Sequence, residues 1–168
     1  GELVLFPEPQ IITTAEYKST TGYDIKKGLT MSVDDKIQNN QVVGVIEYRA
    51  AEAYLNYIEA CYLRKGSIDA SADKYWKAIR KRAGVSEDYR RTIELTDMSK
   101  ESCLLSAYTA GKLVDKTMFN IRRERACELM SEGFRWDDLR RWRSMDQLVN
   151  TPYQVEGFKL WGEMKNWY

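Results

Sequence analysis

The clearest pattern in the chain is a pair of apolar stripes with helical spacing between about Val42 and Gly84. The first stripe ends before Gly66, and the second follows a short polar turn. The stripes are Ile46, Ala50, Ala53, Tyr54, Tyr57, Ile58 and Cys61, and then Ala72, Tyr75, Trp76, Ile79 and Ala83. Because so short a turn places two helices antiparallel, the pattern predicts a helix hairpin over residues 42–84.

Small residues on the first helix indicate how this hairpin packs. Ala50, Ala53 and Ala60 would let Tyr75 and Trp76 of the second helix approach closely, as in a tetratricopeptide-like hairpin. One such hairpin cannot bury both of its faces, so further helices are expected to pack on it.

A second helical region is predicted over residues 99–150. A weak helix over 101–111 precedes the strongest helix of the chain, from Leu113 to Glu132, and Gly133 suits the left-handed position that ends a helix. Asp137 or Asp138 can cap the next helix. Its inward side chains are predicted to be Leu139, Trp142, Met145 and Val149.

The two ends of the chain lack helical stripes. Residues 1–41 are rich in Pro, Thr, Ser and Gly and are predicted to form an extended arm, whereas residues 151–168 form an aromatic tail. Trp161 and Trp167 in this tail are the weak candidates for ligand binding, because a flat ring can pack against the apolar face of a sugar. The alternative is that these rings cover the helices.

Acidic and basic residues follow a regular order around Gly133. Glu124, Glu128 and Glu132 lie four residues apart, so they share one helix face, where like charges repel unless cations lie beside them. Arginines follow within ten residues. We therefore predict an ion-pair clasp between two helices, formed by Glu124, Arg125, Glu128, Glu132, Arg135, Asp138 and Arg141.

Arg125 is expected to have a carboxylate partner for a further reason. It lies on the apolar stripe, four residues after Ile121 and four before Leu129. Removing one partner of a buried ion pair costs about 3–5 kcal/mol, so an arginine in this position has to be paired.

Composition excludes several classes of site. The chain has no histidine, which removes the commonest general base and zinc ligand, and its three cysteines, Cys61, Cys103 and Cys127, fit neither a disulfide framework nor a metal motif. No cofactor or metal is therefore predicted. Lys plus Arg number 26 against 25 Asp plus Glu, so no overall charge draws the chain to nucleic acid or to an anionic membrane.

The sequence disfavours two catalytic interpretations of the glutamates. A glycosidase needs one carboxyl group that holds a proton, whereas arginine neighbours favour the ionised form. A di-iron site of the helical-bundle type needs Glu-x-x-His elements, which a chain without histidine lacks.

The basic residues suggest a third alternative, a platform for single-stranded nucleic acid. Arginines between residues 122 and 143, with Trp136 and Trp142 among them, resemble the cations and stacking rings of single-strand binding proteins. The five acidic residues of the same stretch cancel most of that positive field, so no nucleic-acid partner is predicted.

The same residues resemble the signature of the SusD/RagB family. The matching pairs are Glu124-Arg125, Glu128-Leu129, Glu132-Gly133, Arg135-Trp136, Asp138-Leu139 and Arg141-Trp142. Three upstream elements are similar as well, in the family's order: Thr21-Gly22-Tyr23 with Lys26, the helix over residues 51–60, and Arg80-Lys81-Arg82-Ala83-Gly84.

This resemblance implies an all-α fold, with a tetratricopeptide-like hairpin, a C-terminal helical subdomain and an extended N-terminal arm. It implies a non-catalytic outer-membrane lipoprotein of Bacteroidetes that binds a glycan or other nutrient at the cell surface, as in starch or glycan utilisation. The oligosaccharide would pass to a SusC-type TonB-dependent porin, and membrane attachment would come from a lipid anchor outside this chain.

Family members are usually much longer, so the chain is interpreted as a C-terminal-half fragment. Ligand contacts vary within the family and none is carried over to this sequence. The alternative function is a helical scaffold that contacts the transporter and has no sugar site of its own.

Overall fold

The computed structural model describes Lys27 and residues 47–149. Residues 47–149 belong to one compact unit, Val45–Gln154. Of a second unit, formed by residues 1–44 and 155–168, only Lys27 is described, as an exposed turn residue. Apart from Lys27, the predicted arm over 1–41 and the aromatic tail over 151–168 therefore lie outside the described residues.

The fold over residues 47–149 is all-α, as predicted. Its helices are α1 (Ala50–Lys65), α2 (Ala70–Arg82), α3 (Tyr89–Leu95), α4 (Lys116–Glu128) and α5 (Arg135–Arg141). Short 3-10 turns cover Leu105–Ala107 and Met145–Leu148, and a two-stranded antiparallel hairpin joins β1 (Tyr108–Thr109) to β2 (Lys112–Leu113). None of the described helices combines the length and the apolar character that crossing a bilayer requires.

The predicted helix pair at residues 42–84 is present, with a later start. α1 begins at Ala50 because Arg49 is extended, at φ −149° and ψ 149°. It ends at Gly66, whose φ of 68° and hydrogen bond of 2.8 Å to the carbonyl of Tyr62 form a left-handed cap. Asp69 caps the start of α2 by accepting a hydrogen bond of 2.9 Å from the amide of Ala72.

The packing predicted for the small residues of α1 is wrong. Ala50, Ala53 and Ala60 are exposed and do not receive the aromatic rings of α2. α1 packs on both α2 and α4, so its buried face is the one that meets both neighbours. The core there consists of large side chains, among them Leu55, Ile58, Trp76, Ile79 and Ile121.

Aromatic stacking extends this core on two sides. Tyr75 of α2 stacks on Tyr54 of α1 with ring centroids 4.5 Å apart. Trp76 stacks on Tyr89 of α3 at 4.2 Å, and both rings are 1% exposed. The second stack attaches α3 to the α1–α2 pair; α3 was not predicted from the sequence.

The predicted weak helix over 101–111 is also wrong. In place of a helix, this segment has a 3-10 turn at Leu105–Ala107 that leads directly into β1 at Tyr108–Thr109. Further along, Ala110 and Gly111 have φ values of 48° and 78°, as a two-residue hairpin turn of type I′ requires. This turn pairs Tyr108 with Leu113 across the strands.

The region after this hairpin follows the prediction in outline. Asp115 caps the start of α4, but the helix ends at Glu128, with Leu129 as its C-cap, and not at Glu132 as predicted. Gly133 is left-handed at φ 86° in the turn that follows. The predicted cap of the last helix is wrong, because α5 starts after Phe134 without a side-chain cap and has Asp137 and Asp138 inside its first turn. Leu139 and Trp142 are buried as predicted, whereas Val149 is 90% exposed.

The hairpin turn allows a stability prediction. Ala110→Gly is expected to raise the free energy of unfolding by about 1 kcal/mol, because a left-handed residue with a Cβ atom is strained by about that amount. Urea denaturation measures the change. As the matched control, Ala78→Gly on the exposed side of α2 is expected to lower the free energy of unfolding by about 1 kcal/mol. Equal signs for the two substitutions would contradict the turn assignment.

Candidate functional site

Arg49 binds Glu128, the last residue of α4, and Glu132, in the turn after it. Its Nη1 donates to Glu128 Oε1 at 2.5 Å, and its Nε and Nη2 donate to the two carboxylate oxygens of Glu132 at 2.7 and 2.6 Å. Arg82 at the end of α2 also pairs with Glu128. The Arg49–Glu132 contact is therefore bidentate, the geometry in which arginine binds a carboxylate most specifically.

Glu124, the first of the three glutamates, binds two side chains of α2. Its Oε2 accepts hydrogen bonds from Arg80 Nη1 at 2.8 Å and from the ring nitrogen of Trp76 at 2.9 Å. Arg80 also donates to the main-chain carbonyl of Ser86 and to the hydroxyl of Thr92. One guanidinium group therefore links α2, α4 and the start of α3.

These partners come from outside the predicted clasp. Arg49, Arg80 and Arg82, all from before α4, lie against the three glutamates. Arg135 lies over the ring of Trp142, 5.8 Å from its centroid. The physical reason is that the glutamate face of α4 turns toward α2, and α5 meets another face of α4.

On that other face, Arg125 is paired with Asp138 of α5. Arg125 Nε lies 2.9 and 2.7 Å from the two oxygens of Asp138, both side chains are 5% exposed, and Nη1 donates to Asn56 of α1 at 2.8 Å. Arg141 Nε adds a third bond to Asp138 at 2.9 Å. The cation lies on α4 and the carboxylate on α5, the reverse of the polarity expected between these two helices.

Glu59 of α1 is a buried carboxylate that the sequence interpretation missed. It is 3% exposed and accepts bonds from Arg141 Nη1 and Nη2 at 2.6 and 2.7 Å and from the ring nitrogen of Trp142 at 2.7 Å. Burial alone would raise the pKa of Glu59, but the hydrogen bonds from Arg141 and Trp142 outweigh it and lower the pKa. The sequence signal was its spacing: Glu59 lies four residues after Leu55 and therefore shares the buried face of α1.

Arg122 is a buried cation without a carboxylate in salt-bridge contact among the described residues. It is 4% exposed and donates to the carbonyls of Ser106 and Tyr108 at 3.1 and 2.8 Å and to the hydroxyl of Thr109 at 2.7 Å. Its guanidinium lies 4.6 Å from the ring centroid of Trp142. Burial lowers the pKa of Arg122 to about 10, partly offset by the charge of Glu59 nearby.

Comparison with known proteins decides the family. The sequence model of the SusD family matches residues 3–160. This chain belongs to the SusD family. Searches of curated proteins and of solved structures returned no match. SusD-family proteins bind glycans or other nutrients at the cell surface, are surface lipoproteins and work with SusC-type transporters.

In this SusD-family chain, the arginines and tryptophans do not form the platform considered for nucleic acid. Arg122, Arg125 and Trp142 are buried, at 4%, 4% and 3% exposure, whereas Trp136 is 58% exposed. A stacking platform needs its cations and rings on one accessible surface. Arg122 instead connects α4 to the β-hairpin, and Arg125 and Trp142 connect α4 and the end of α5 to α1.

The remaining sequence candidates have no described geometry. Trp161 and Trp167 lie outside the described residues, so their role in ligand binding stays a prediction. Within the described residues, no group of three or more Cys, Asp or Glu side chains is arranged to hold a metal ion.

The buried pair gives a direct prediction with an adjacent control. Asp138→Asn is expected to lower the free energy of unfolding by about 3–5 kcal/mol, because Arg125 is left buried without its counter-charge. Asp137→Asn removes an exposed contact to Arg140 of 3.8 Å and is expected to change stability by less than about 0.5 kcal/mol. Chemical denaturation of both variants measures the difference, and similar losses would contradict the assignment.

Glu59 gives a prediction on pH. A carboxyl group whose pKa is lowered by folding stabilises the protein above its unfolded pKa, near 4.5, and that contribution is lost as the pH falls through the lower, folded pKa. Glu59→Gln lacks this contribution. The difference in unfolding free energy between the parent and Glu59→Gln is therefore expected to be largest near neutral pH and to shrink on acidification below about pH 4.5. A difference that is independent of pH would show that Glu59 is not held ionised.

Proposed function

We propose that this chain forms part of a cell-surface protein that captures an oligosaccharide, or another nutrient, and passes it to a SusC-type TonB-dependent transporter. The protein does no chemistry on its ligand. A lipid anchor on a segment outside this chain would hold it at the outer membrane. The observation that carries the proposal is the SusD-family match over residues 3–160.

The described geometry supports a binding role over a catalytic one. Glu124, Glu128 and Glu132 each accept hydrogen bonds from arginine, and the buried Glu59 has a lowered pKa. A glycosidase acid has to carry a proton near neutral pH, which requires a raised pKa. The signature carboxylates are arranged to hold helices together.

A second candidate function is a helical scaffold that contacts the transporter without a sugar site. The observation that favours it is the outer surface of α1 and the residues before it, where Tyr48, Tyr57 and Leu63 are 88%, 41% and 66% exposed. Tyrosine is enriched in the interfaces of protein complexes.

One paired titration separates the two functions. The 168-residue chain is titrated by calorimetry with short neutral oligosaccharides of several linkage types, and in parallel with a detergent-solubilised SusC-type transporter encoded beside it. We expect saturable heat with one oligosaccharide class and no release of shorter sugars on prolonged incubation.

The other outcomes are equally informative. Transporter binding without sugar heat would support the scaffold. Sugar cleavage would overturn the non-catalytic assignment, and the absence of both binding signals would overturn the capture function for this chain.

A further inference from the structure

A groove of about 280 Å³ lies beside Glu124 and Glu128, between α2, α3 and α4. One face of α4 forms its side, because residues three and four apart share a helix face. This face carries Asn120, Arg123, Glu124, Cys127 and Glu128. The side chains of Ile121, Arg125 and Leu129, in contrast, point into the interior.

One carboxylate oxygen of Glu124 accepts no hydrogen bond from the described residues. Both of its hydrogen bonds, from Arg80 and Trp76, go to Oε2, and no donor from the described residues lies within hydrogen-bonding distance of Oε1. Oε1 is not among the buried atoms left without a partner, so it reaches solvent. The groove therefore presents an acceptor that is already fixed in position by two bonds on the other oxygen.

Arg123 provides donors on the same face. One of its terminal nitrogens donates to Asn120, and the guanidinium lies 5.4 Å from the ring centroid of Phe119 and 3.6 Å from Glu101. The remaining N–H groups have no hydrogen-bond acceptor among the described residues. An arginine has five such donors in a fixed plane, so most of them stay available to a ligand.

The floor and wall of the groove are apolar. Trp76 and Tyr89 close the floor, and at 1% exposure they offer an apolar base without an open ring face. Ala83 and Val85, after the end of α2, form the wall, and Val85 is 49% exposed. Apolar surface with a few fixed polar groups is the usual lining of a small-molecule site.

The charges select the class of ligand. Each charged side chain of the lining is already in an ion pair. Arg80 pairs with Glu124, Arg123 with Glu101, and Glu128 with Arg49 and Arg82. A neutral molecule with many hydroxyl groups can use the acceptor and the donors together without leaving a charge unpaired. An anion or a cation would meet one repelling partner for each attracting one.

The groove continues into a second depression. Thr92 and Arg123 line both, and the second, of about 410 Å³, extends along α3 past Ser86 and Leu95. Two adjoining depressions suit a chain of linked units better than a single compact molecule.

We propose that this groove binds a neutral oligosaccharide, with one sugar unit between Glu124 Oε1, which accepts from a ring hydroxyl, and Arg123, which donates to another. The neighbouring unit lies in the depression along α3. This inference rests on the proposed glycan-binding function and names the site at which it occurs.

The test uses two variants that change the groove in different ways. Glu124→Gln can keep an oxygen acceptor for Arg80 and Trp76 while the groove-facing acceptor becomes an amide donor. Cys127→Trp fills the groove from an exposed position of α4 without removing a charge. Ala60→Trp adds the same ring to an exposed position of α1 outside the groove and is the matched control.

The parent chain and the three variants are applied to an array of neutral and acidic oligosaccharides, and the strongest neutral sugar is then titrated by calorimetry. We expect Glu124→Gln to bind about tenfold more weakly or worse, the effect of losing one hydrogen bond to a charged group. Cys127→Trp is expected to abolish binding, and Ala60→Trp to bind like the parent. Thermal unfolding of each variant shows that it remains folded.

Each remaining outcome contradicts a stated part of the proposal. Parent-like binding by folded Glu124→Gln and Cys127→Trp would place the sugar elsewhere and leave the proposed function intact. Binding to acidic sugars alone would overturn the neutral ligand class. A parent chain that binds no sugar would overturn the proposed function and this site with it.

Discussion

Pairing of buried charges is the constraint on which the described fold depends. Glu59, Arg125 and Asp138 are each exposed by less than 5%, and an ion buried without a partner costs several kcal/mol. Each of these side chains has at least one partner on another helix. Satisfying the charges therefore fixes how α1, α4 and α5 lie against one another, with Arg141 bound to both Glu59 and Asp138.

α4 combines two roles on different faces. Its inner faces carry Ile121 and Arg125 into the core and toward α5, whereas the face with Glu124 and Cys127 borders the groove. The ion pair between Glu124 and Arg80 belongs to both, since it joins α4 to α2 and orients the spare oxygen of Glu124. A rigid ion-pair framework of this kind supports a binding surface because the groove's polar groups are held in place before a ligand arrives.

Local signals in the sequence predicted part of this structure. The helix end at Gly66 followed from the left-handed conformation that glycine allows, and the need for a partner at Arg125 followed from its place on an apolar stripe. The same signal at Gly133 placed the end of α4 too late, because the helix ends at Glu128. The weak helix was predicted wrongly because Leu104, Leu105 and Tyr108 fit helical spacing. Only the structure shows the positive φ at Ala110, which is uncommon for a residue other than glycine.

The sequence could not predict which carboxylate each arginine would bind. Glu59 and Arg141 are 82 residues apart, and Arg49 and Glu132 are 83 apart, so no local spacing connects them. The groove is assembled from residues of three helices and was likewise invisible in the one-dimensional pattern. Carboxylates and arginines at regular spacing indicate that ion pairs form, and tertiary packing decides which ones.

A double-mutant cycle between Glu59 and Arg141 tests whether a buried ion pair holds α5 against α1. The free energy of unfolding is measured for the parent, Glu59→Gln, Arg141→Met and the double variant. If this pair holds α5 against α1, the sum of the losses in unfolding free energy of the two single variants will exceed the loss of the double variant by about 2 kcal/mol or more. Additive losses, with a coupling energy below about 0.5 kcal/mol, would show that apolar packing alone fixes the helices and would contradict the account.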